Sequence, residues 1–272
     1  MLKTETRNPK SMHLDRMDTL SMLELMNEEN RNSVEAVERA LPEIAKAADL
    51  IADAVGKGHS LVYLGAGTSG RLGIIDAAEC PPTFGVEDTV VRGVIAGGPE
   101  RLVKAGENAE DSYETGASDA EKVLRPGDVL VGISAAGGAK YVVGALEKAR
   151  ALGCNTIALT SNPGTAVTKA ANLSIVCDTG PEVLTGSTRL KAGNSQKFVL
   201  NMLSTAAMVK TGKVYENLMI NVKPSNEKLR GRVIRITKEI LGCSEEEAVR
   251  RLEAHHWSIR ETVEAPAERR ES

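Results

Sequence analysis

The feature that most constrains the fold is a series of five short apolar segments in the middle of the chain, separated by helical patterns. The apolar segments lie at residues 61–64, 90–96, 129–133, 156–160 and 173–177. Helical patterns lie between them at 70–77, 99–124, 141–152 and 165–171. Such alternation is typical of an α/β fold. We therefore predict a five-stranded parallel sheet with helices on both faces.

Helical patterns also flank this region on both sides. Apolar residues recur at helical spacing over 19–28 and 32–55, where Pro42 suits the first turn of a new helix. After the sheet, helices are predicted at 188–210 and 226–241, and Ser244 with Glu247 forms a capping box before another. We predict an N-terminal helical segment (1–58) packed on the core, a central α/β domain (59–222), a helical annex (223–264) and a disordered tail (265–272).

Composition excludes several classes of function. The net charge is −3 and aromatic residues make up 3% of the chain, so neither a basic surface nor a base-stacking platform for nucleic acid is expected. The four cysteines are far apart and the N-terminus is polar, which predicts reduced thiols and a cytoplasmic protein without a membrane segment. The four histidines form no ligand set, so no metal is expected.

A glycine-rich turn follows the first predicted strand. Gly65, Gly67 and Gly70 form a G-x-G-x-x-G pattern that contains the hydroxyls of Thr68 and Ser69. Backbone N–H groups at the start of the following helix, together with the helix dipole, favour an anion there. The pattern alone is weak evidence, because a tight strand-to-helix turn without a ligand has the same spacing.

Two anions are compatible with this turn. A dinucleotide requires an acidic residue after the second strand, but Glu87 and Asp88 precede that strand and Gly97-Gly98 follow it. Hydroxyl donors in the turn suit a terminal phosphate better than a pyrophosphate bridge. We therefore favour a sugar phosphate over a dinucleotide.

Other chemistry-bearing residues come after the turn. Glu79 is predicted just beyond the first helix, on a loop stiffened by Pro81-Pro82, where it is either an acid/base or a helix-end charge. Glu107 and Glu110 are predicted on one helix face, which also suits a solvated acidic surface. Ser187, Thr188 and Lys191 open a later helix, either as anion ligands or as caps.

Longer motifs resemble the signature of the N-acetylmuramic acid 6-phosphate etherase family. They read GAGTSGRLG at 65–73, DAAECPPTFG at 76–85, IAGG at 95–98, ENAEDS at 107–112, GPEV at 180–183, TGSTR at 185–189, KAG at 191–193, QK at 196–197 and GKVY at 212–215. The resemblance covers about residues 15–255.

The resemblance implies a sugar isomerase (SIS), flavodoxin-like fold, a homodimer and no cofactor. It implies cleavage of the D-lactyl ether of the sugar phosphate in cell-wall recycling, with Glu79 as the acid and Glu110 as the base. From the glycine-rich turn, the strand-end loops and the start of the later helix, we predict a set of substrate- and phosphate-binding residues: Gly67, Thr68, Ser69, Gly70, Ser134, Gly137, Gly138, Ser187, Thr188 and Lys191.

The loop after the third strand departs from the family pattern. Ala136 and Ala139 stand where Ser and Thr are expected, and Gly138 stands where Arg is expected. The first turn is therefore expected to carry a larger share of substrate binding. Two alternatives stay open at this point: a sugar-phosphate-responsive regulator similar to the glucokinase regulatory protein, and a sugar phosphate isomerase.

Overall fold

The computed structural model describes residues 2–104, 106, 108–222, 224 and 226–265. The chain divides into two compact units, Met1–Ala78 with Thr89–Ala207, and Glu79–Asp88 with Met208–Ser272. The predicted division at residues 58, 222 and 264 is a different one and stays a prediction. All but the first residue of the predicted disordered tail, 265–272, lies outside the described residues.

The first unit is built on a five-stranded parallel sheet, as predicted. Its strands are β1 (Leu61–Gly65), β2 (Val91–Ile95), β3 (Val129–Ile133), β4 (Asn155–Thr160) and β5 (Leu173–Val176). They are arranged in the order β2-β1-β3-β4-β5, the order of flavodoxin-like folds. Every residue of β1 and β3 is buried, which explains why both read as uninterrupted apolar runs.

Helices follow the strands of this sheet. Two α-helices precede the sheet and are described below. The helices that follow strands of the sheet are α3 (Gly67–Phe84), α4 (Tyr113–Val123), α5 (Lys140–Ala151), α6 (Ala166–Ala170) and α7 (Lys191–Lys210). The helix α5 packs on α4, α6 and the strands β1, β3 and β4. Its small and apolar side chains form a core with β1, β3 and β4.

The N-terminal segment belongs to the same unit as the sheet. Three short 3-10 turns, Lys3–Glu5, Pro9–Ser11 and Leu14–Arg16, precede α1 (Thr19–Arg39) and α2 (Leu41–Gly56). Pro42 lies in the first turn of α2, as predicted. The buried residues of α2 pack on β1, β3 and β5, so this segment covers part of the sheet.

The second unit is small and mostly helical. It contains a short hairpin, β6 (Val214–Tyr215) with β7 (Leu218–Met219), which was not predicted, and three helices, α8 (Glu227–Leu241), α9 (Glu245–Ala254) and α10 (Ile259–Glu264). Asn226, Ser244 and Ser258 cap these helices. The apolar faces of these helices form a core with the segment after β7; its buried members are Ile220, Val222, Val233, Ile236, Leu252 and Ile259.

Two further properties of the whole chain are relevant to the predictions. Cys80, Cys154, Cys177 and Cys243 are reduced thiols. Burial raises the pKa of Cys154 to about 11 and that of Cys177 to about 12, so both stay protonated at neutral pH. None of the described helices combines the length and apolar character needed to cross a membrane.

Candidate active site

The sheet has a topological switch point between β1 and β3. The chain leaves β1 toward β2 on one side, and β3 leads to β4 on the other side. In open α/β sheets, ligands bind outside the carboxyl ends of the strands at this point. A cavity of about 390 Å³, hereafter the switch-point cavity, lies there. Its lining comprises Glu5, Ala66, Gly67, Thr68, Ser69, Glu110, Asp111, Ile133, Ser134, Ala135, Ala136, Gly138, Ala139, Gly186 and Thr188.

The start of α3 forms one wall of the switch-point cavity. The helix begins at Gly67, which has a φ of 54°, and the first i→i−4 bond runs from Gly70 N to Ala66 O at 3.3 Å. The N–H groups of the first helical turn have no partner within the helix and are available to an anion. This turn is therefore a suitable anion site, in agreement with the glycine motif.

Gly70 serves packing rather than the cavity lining. A Cβ at Gly70 would lie 2.5 Å from Gly65 O and 2.7 Å from Ile95 Cγ1. The third glycine of the motif therefore lets α3 approach the sheet closely. Ser69 does line the cavity, but its hydroxyl donates a hydrogen bond to Gln196 Oε1 at 3.0 Å. Of the two hydroxyls in the turn, that of Thr68 is therefore the better candidate to donate to a ligand.

The loop between β3 and α5 forms the facing wall. Ser134 Oγ accepts a hydrogen bond from Gly137 N at 3.1 Å, and Gly137 O accepts one from Val167 N at 3.2 Å. Gly137 has a φ of 82°, and a Cβ there would lie 2.3 Å from Thr165 Oγ1. Gly137 thus shapes the loop without lining the cavity, whereas Gly138 does line it. Ala135, Ala136 and Ala139 line this wall together with Ser134 and Gly138.

Glu110 reaches the switch-point cavity from a turn, so its predicted helical position was wrong. Asn108, with a φ of 65°, accepts from Asp111 N, and Ser112 caps α4. Because of this turn and cap, the helix begins at Tyr113, after Glu110. Glu110 O accepts a hydrogen bond from Tyr141 N at 2.9 Å, which ties the turn to the start of α5. Glu107, the predicted helical neighbour of Glu110, lies outside the described residues.

Glu79 is an exposed residue within α3 and belongs to the second unit. The predicted helix ended at residue 77, with the prolines in a stiff loop, and this was wrong. Pro81 and Pro82 lie in the last turn, which buries Cys80 and Phe84 and closes with a bond from Gly85 N to Pro81 O. Burial of these two side chains offsets the hydrogen bonds that the prolines cannot donate.

The start of α7 is capped by a carboxylate of the protein itself. Glu182 is fully buried, and its carboxylate accepts hydrogen bonds from Lys191 N at 3.0 Å and Ala192 N at 2.9 Å. Burial raises the pKa of Glu182, and these two backbone bonds and the charge of Lys191 partly oppose that rise. The carboxylate occupies the position at the helix start that an anionic ligand would take.

Lys191 is not among the residues that line the cavity. Its side chain is 2% exposed, and its Nζ lies 2.6 Å from Glu29 Oε2. Burial alone would raise the pKa of Glu29, but the hydrogen bond and charge of Lys191, with smaller contributions from Asn8 and Lys10, lower it. The predicted role of Lys191 in phosphate binding is not supported, because its charge is already paired. Ser187, also predicted, does not line the cavity, whereas Thr188 does.

A second cavity of about 490 Å³ shares Ala66, Gly67, Glu110 and Asp111 with the first. It brings Arg71 and Arg101 to the other side of the Glu110 turn. Arg71 also donates to Leu102 O at 2.9 Å and Lys104 O at 3.3 Å, which holds the segment after β2. Within the described ranges, no group of three or more His, Cys, Asp or Glu side chains is placed to bind a metal ion.

Comparison with known proteins identifies the family. A family model described as SIS domain matches residues 102–206, and one described as glucokinase regulatory protein N-terminal SIS domain matches residues 43–150. A curated relative from Symbiobacterium thermophilum, named N-acetylmuramic acid 6-phosphate etherase, is 51% identical over 264 residues, covering 97% of this chain and 88% of that protein. A relative from Cronobacter sakazakii with the same name is 51% identical, covering 96% and 89%. The chain belongs to the N-acetylmuramic acid 6-phosphate etherase family.

A solved structure has a fold similar to that of this etherase family member. A phosphoheptose isomerase from Francisella tularensis is 19% identical, with a TM-score of 0.51, covering 70% of this chain and 98% of that chain. At this identity the likeness concerns the fold alone. The etherase relatives match nearly the full length, so neither the regulator nor the isomerase alternative is favoured.

The structure gathers part of the predicted etherase site and adds to it. Of the predicted binding residues, the cavity lining includes Gly67, Thr68, Ser69, Ser134, Gly138 and Thr188, together with Glu110. Sequence reasoning missed Glu5, which precedes all predicted elements, and the arginines of the second cavity. It also missed the contacts of Lys191 with Glu29 and Glu182. Glu29 lies 162 residues from Lys191, so that contact is visible only in the folded chain, whereas Glu182 lies 9 residues away.

Proposed function

We propose that the chain cleaves the D-lactyl ether of N-acetylmuramic acid 6-phosphate, giving N-acetylglucosamine 6-phosphate and D-lactate. The observation that carries the proposal is that Glu110 lines the same cavity as Gly67, Thr68 and Ser69 of the first turn of α3, whose backbone N–H groups suit an anion. A carboxylate beside an anion site is what a lyase for a sugar phosphate requires. Membership of the etherase family supports this reaction.

The reaction proceeds by elimination from the ring-opened sugar. Glu110, as the base, removes the C2 proton, which the C1 aldehyde acidifies. Glu79, as the acid, protonates the C3 ether oxygen as the C3–O bond breaks and lactate leaves with that oxygen. Water then adds across the resulting C2–C3 double bond, which returns a hydroxyl to C3 and a proton to C2. The role of Glu110 is supported by its place in the cavity lining, and that of Glu79 by the family resemblance.

Phosphate binding is proposed at the first turn of α3. Gly67, Thr68 and Ser69 line the cavity there, and Gly70 fixes the approach of the helix to the sheet. Arg71 and Arg101, next to the Glu110 turn, add positive charge for a substrate that carries both a phosphate and a carboxylate. Ser134, Gly138 and Thr188 complete the proposed binding set.

A direct assay of lactate release tests the proposal. We expect purified protein to release D-lactate from the muramic sugar phosphate, and Glu110→Gln and Glu79→Gln to lose at least about 100-fold in kcat, since each removes a general acid or base. Glu114→Gln is the control, because Glu114 is an exposed carboxylate in the first turn of α4. Absence of lactate with wild-type protein contradicts the function, and full activity in one variant contradicts the role of that glutamate.

We also propose a cytoplasmic homodimer that acts in amino-sugar and cell-wall recycling. Exposed apolar side chains on α1 support association: Leu20, Leu23 and Val34 are 66%, 55% and 59% exposed. Apolar side chains grouped on one helix are typical of an interface. Light scattering coupled to size exclusion should give about twice the mass of 28.9 kDa. A monomer at micromolar concentration contradicts this part of the proposal.

A further inference from the structure

Glu5 lines the switch-point cavity although it lies far from the strand-end loops in the sequence. It ends the first 3-10 turn, Lys3–Glu5. Its Oε2 is 3.5 Å from the position that a Cβ on Gly186 would take, which places the carboxylate beside the Gly186–Thr188 edge of the cavity. Neither the glycine motif nor the etherase resemblance assigned a role to this residue.

The segment that carries Glu5 is held to the sheet by Asn162, at the carboxyl end of β4. Lys3 N donates to Asn162 Oδ1 at 2.9 Å, and Asn162 Nδ2 donates to Thr4 Oγ1 at 3.1 Å. The same Nδ2 lies 3.2 Å from Ala135 O, in the β3 loop of the cavity. Thr4 and Asn162 are 1% and 2% exposed. One buried amide therefore sets the position of the Glu5 segment relative to the cavity wall.

A second anchor follows three residues after Glu5. Asn8, 5% exposed, donates to Glu29 Oε2 at 2.8 Å, within the group that includes Lys191. Glu5 is thus an exposed side chain between two buried anchors. Such an arrangement gives a charged group a defined position without burying it, which is typical of a ligand-binding residue rather than of a stabilising one.

We infer that Glu5 binds the hydroxyl groups of the sugar, and that Asn162 is the residue that positions it. This inference rests on the proposed function. A carboxylate only accepts hydrogen bonds, so it selects ligand groups that donate them, such as sugar hydroxyls, and repels phosphate. The inference therefore assigns the sugar chain to the Glu5 side of the cavity and the phosphate to the first turn of α3.

The matched pair Glu5→Gln and Glu24→Gln tests the role of Glu5. Both remove one negative charge, and Glu24 is an exposed residue of α1 outside the cavity lining. For Glu5→Gln we expect a rise in KM of about tenfold with kcat within about twofold, because a hydrogen bond to a charged acceptor is lost in both ground and transition states. Inhibition by inorganic phosphate should be unchanged or stronger, since a repulsive charge is removed.

Three results would overturn the inference: kinetics of Glu5→Gln that match those of Glu24→Gln, a loss confined to kcat, or weaker inhibition by inorganic phosphate. The positioning role is tested with Thr4→Val, which removes one partner of Asn162. It should raise KM severalfold, with no further rise in the Glu5→Gln/Thr4→Val double variant. Additive effects would show that Thr4 and Asn162 do not act through Glu5.

Calorimetric titration with N-acetylglucosamine 6-phosphate separates this inference from the proposed function. If wild-type protein binds this sugar phosphate without releasing lactate from the muramic substrate, the proposed reaction is wrong, and a tenfold weaker Kd in Glu5→Gln still supports the inference. If lactate is released but Glu5→Gln leaves both KM and Kd unchanged, the inference alone is wrong. Absence of both binding and lactate release contradicts both.

Discussion

The starts of α3 and α7 look alike in the sequence and differ in the folded chain. Each helix follows a stretch of glycine and hydroxyl residues, and each was predicted to bind an anion. The first turn of α3 opens into the switch-point cavity, whereas the first turn of α7 is capped by the buried carboxylate of Glu182. The same local pattern therefore lines a cavity at one helix and is used for internal packing at the other.

The two helix starts are also held by different forces. Gly70 lets the backbone of α3 contact β1 directly, while Lys191, at the start of α7, forms an ion pair with Glu29 of α1. A helix start is available to a ligand only when the protein does not supply the anion itself. That distinction depends on a residue elsewhere in the chain, so local motifs do not reveal it.

The largest expected effect comes from breaking the anchor of α7. Lys191→Met removes the buried cation of Glu29 and leaves beside its carboxylate the exposed Lys10, at 3.3 Å, so we expect a loss of about 3 kcal/mol in the free energy of unfolding. Urea denaturation measures it. Lys46→Met, which removes an exposed lysine 3.8 Å from Glu43, is the control and should change stability by less than about 0.5 kcal/mol. An unchanged midpoint for Lys191→Met would mean that the ion pair does not hold α7.

The corresponding test at α3 adds one methyl group. In Gly70→Ala the new Cβ would overlap Gly65 O, so we expect a loss of roughly 2–3 kcal/mol in the free energy of unfolding. Gly138→Ala is the matched control in the facing loop, because no atom lies within 4 Å of its Cβ position. Equal denaturation midpoints for the two variants would contradict a close contact between α3 and the sheet.

Ligand binding at the two helix starts is compared with Thr68→Val and Ser187→Ala. Thr68 lines the cavity and Ser187 does not. We expect Thr68→Val to raise KM for the muramic sugar phosphate about tenfold, because a hydroxyl bond to a phosphate dianion is lost. Ser187→Ala should stay within about twofold of wild type. The reverse order of effects in steady-state lactate assays would place the phosphate at α7 instead.

The smallest expected effect is a dependence of stability on acid pH. Burial raises the pKa of Glu29, but the hydrogen bonds of Lys191, Asn8 and Lys10 and the charge of Lys191 together lower the folded-state pKa below its ordinary value of 4.5. The unfolded chain therefore binds this proton first as the pH falls. The stabilisation from Glu29 is present above about pH 4.5 and is lost as the pH falls through the lowered pKa.

The difference in stability between wild type and Glu29→Gln, measured by denaturation from pH 7 to pH 3, isolates this effect. Glu182, whose pKa burial raises, acts in the opposite direction but is present in both proteins. The difference should shrink toward acid pH. A difference that stays constant over this range would show that the pKa of Glu29 is not lowered in the folded state.

Sequence patterns predicted the sheet and most helices because burial imposes regular spacing on the side chains. The buried strands β1 and β3 appear as apolar runs, and the break between α1 and α2 is marked by Pro42. The hairpin β6–β7 was missed, since strands of two residues are too short to show alternation. The end of α3 was also missed. Prolines usually end a helix, but α3 continues through Pro81 and Pro82 to the buried Phe84.

The cavity lining was predictable only where a lining residue and its motif share one loop. Thr68 and Ser69 are next to the glycines that shape their turn, so the motif identified both. Glu5 comes to the cavity through Asn162, which follows Thr4 by 158 residues. The side chain of Lys191 is paired with Glu29, which lies 162 residues away in the sequence, and does not line the cavity. Contacts over such separations arise from the tertiary fold, and no local spacing encodes them.

The close contact of α3 with the sheet has a consequence for the cost of binding. Beyond Gly70, a Cβ at Gly73 would lie 2.8 Å from Tyr63 Cβ, so two successive turns of this helix rest on β1 almost without intervening side chains. The first-turn amides are therefore fixed before any ligand arrives. A tetrahedral anion bound at the proposed site would meet donors already at their final spacing, and little conformational entropy would be lost on association. An inhibitor gains most here from a rigid group of matching shape.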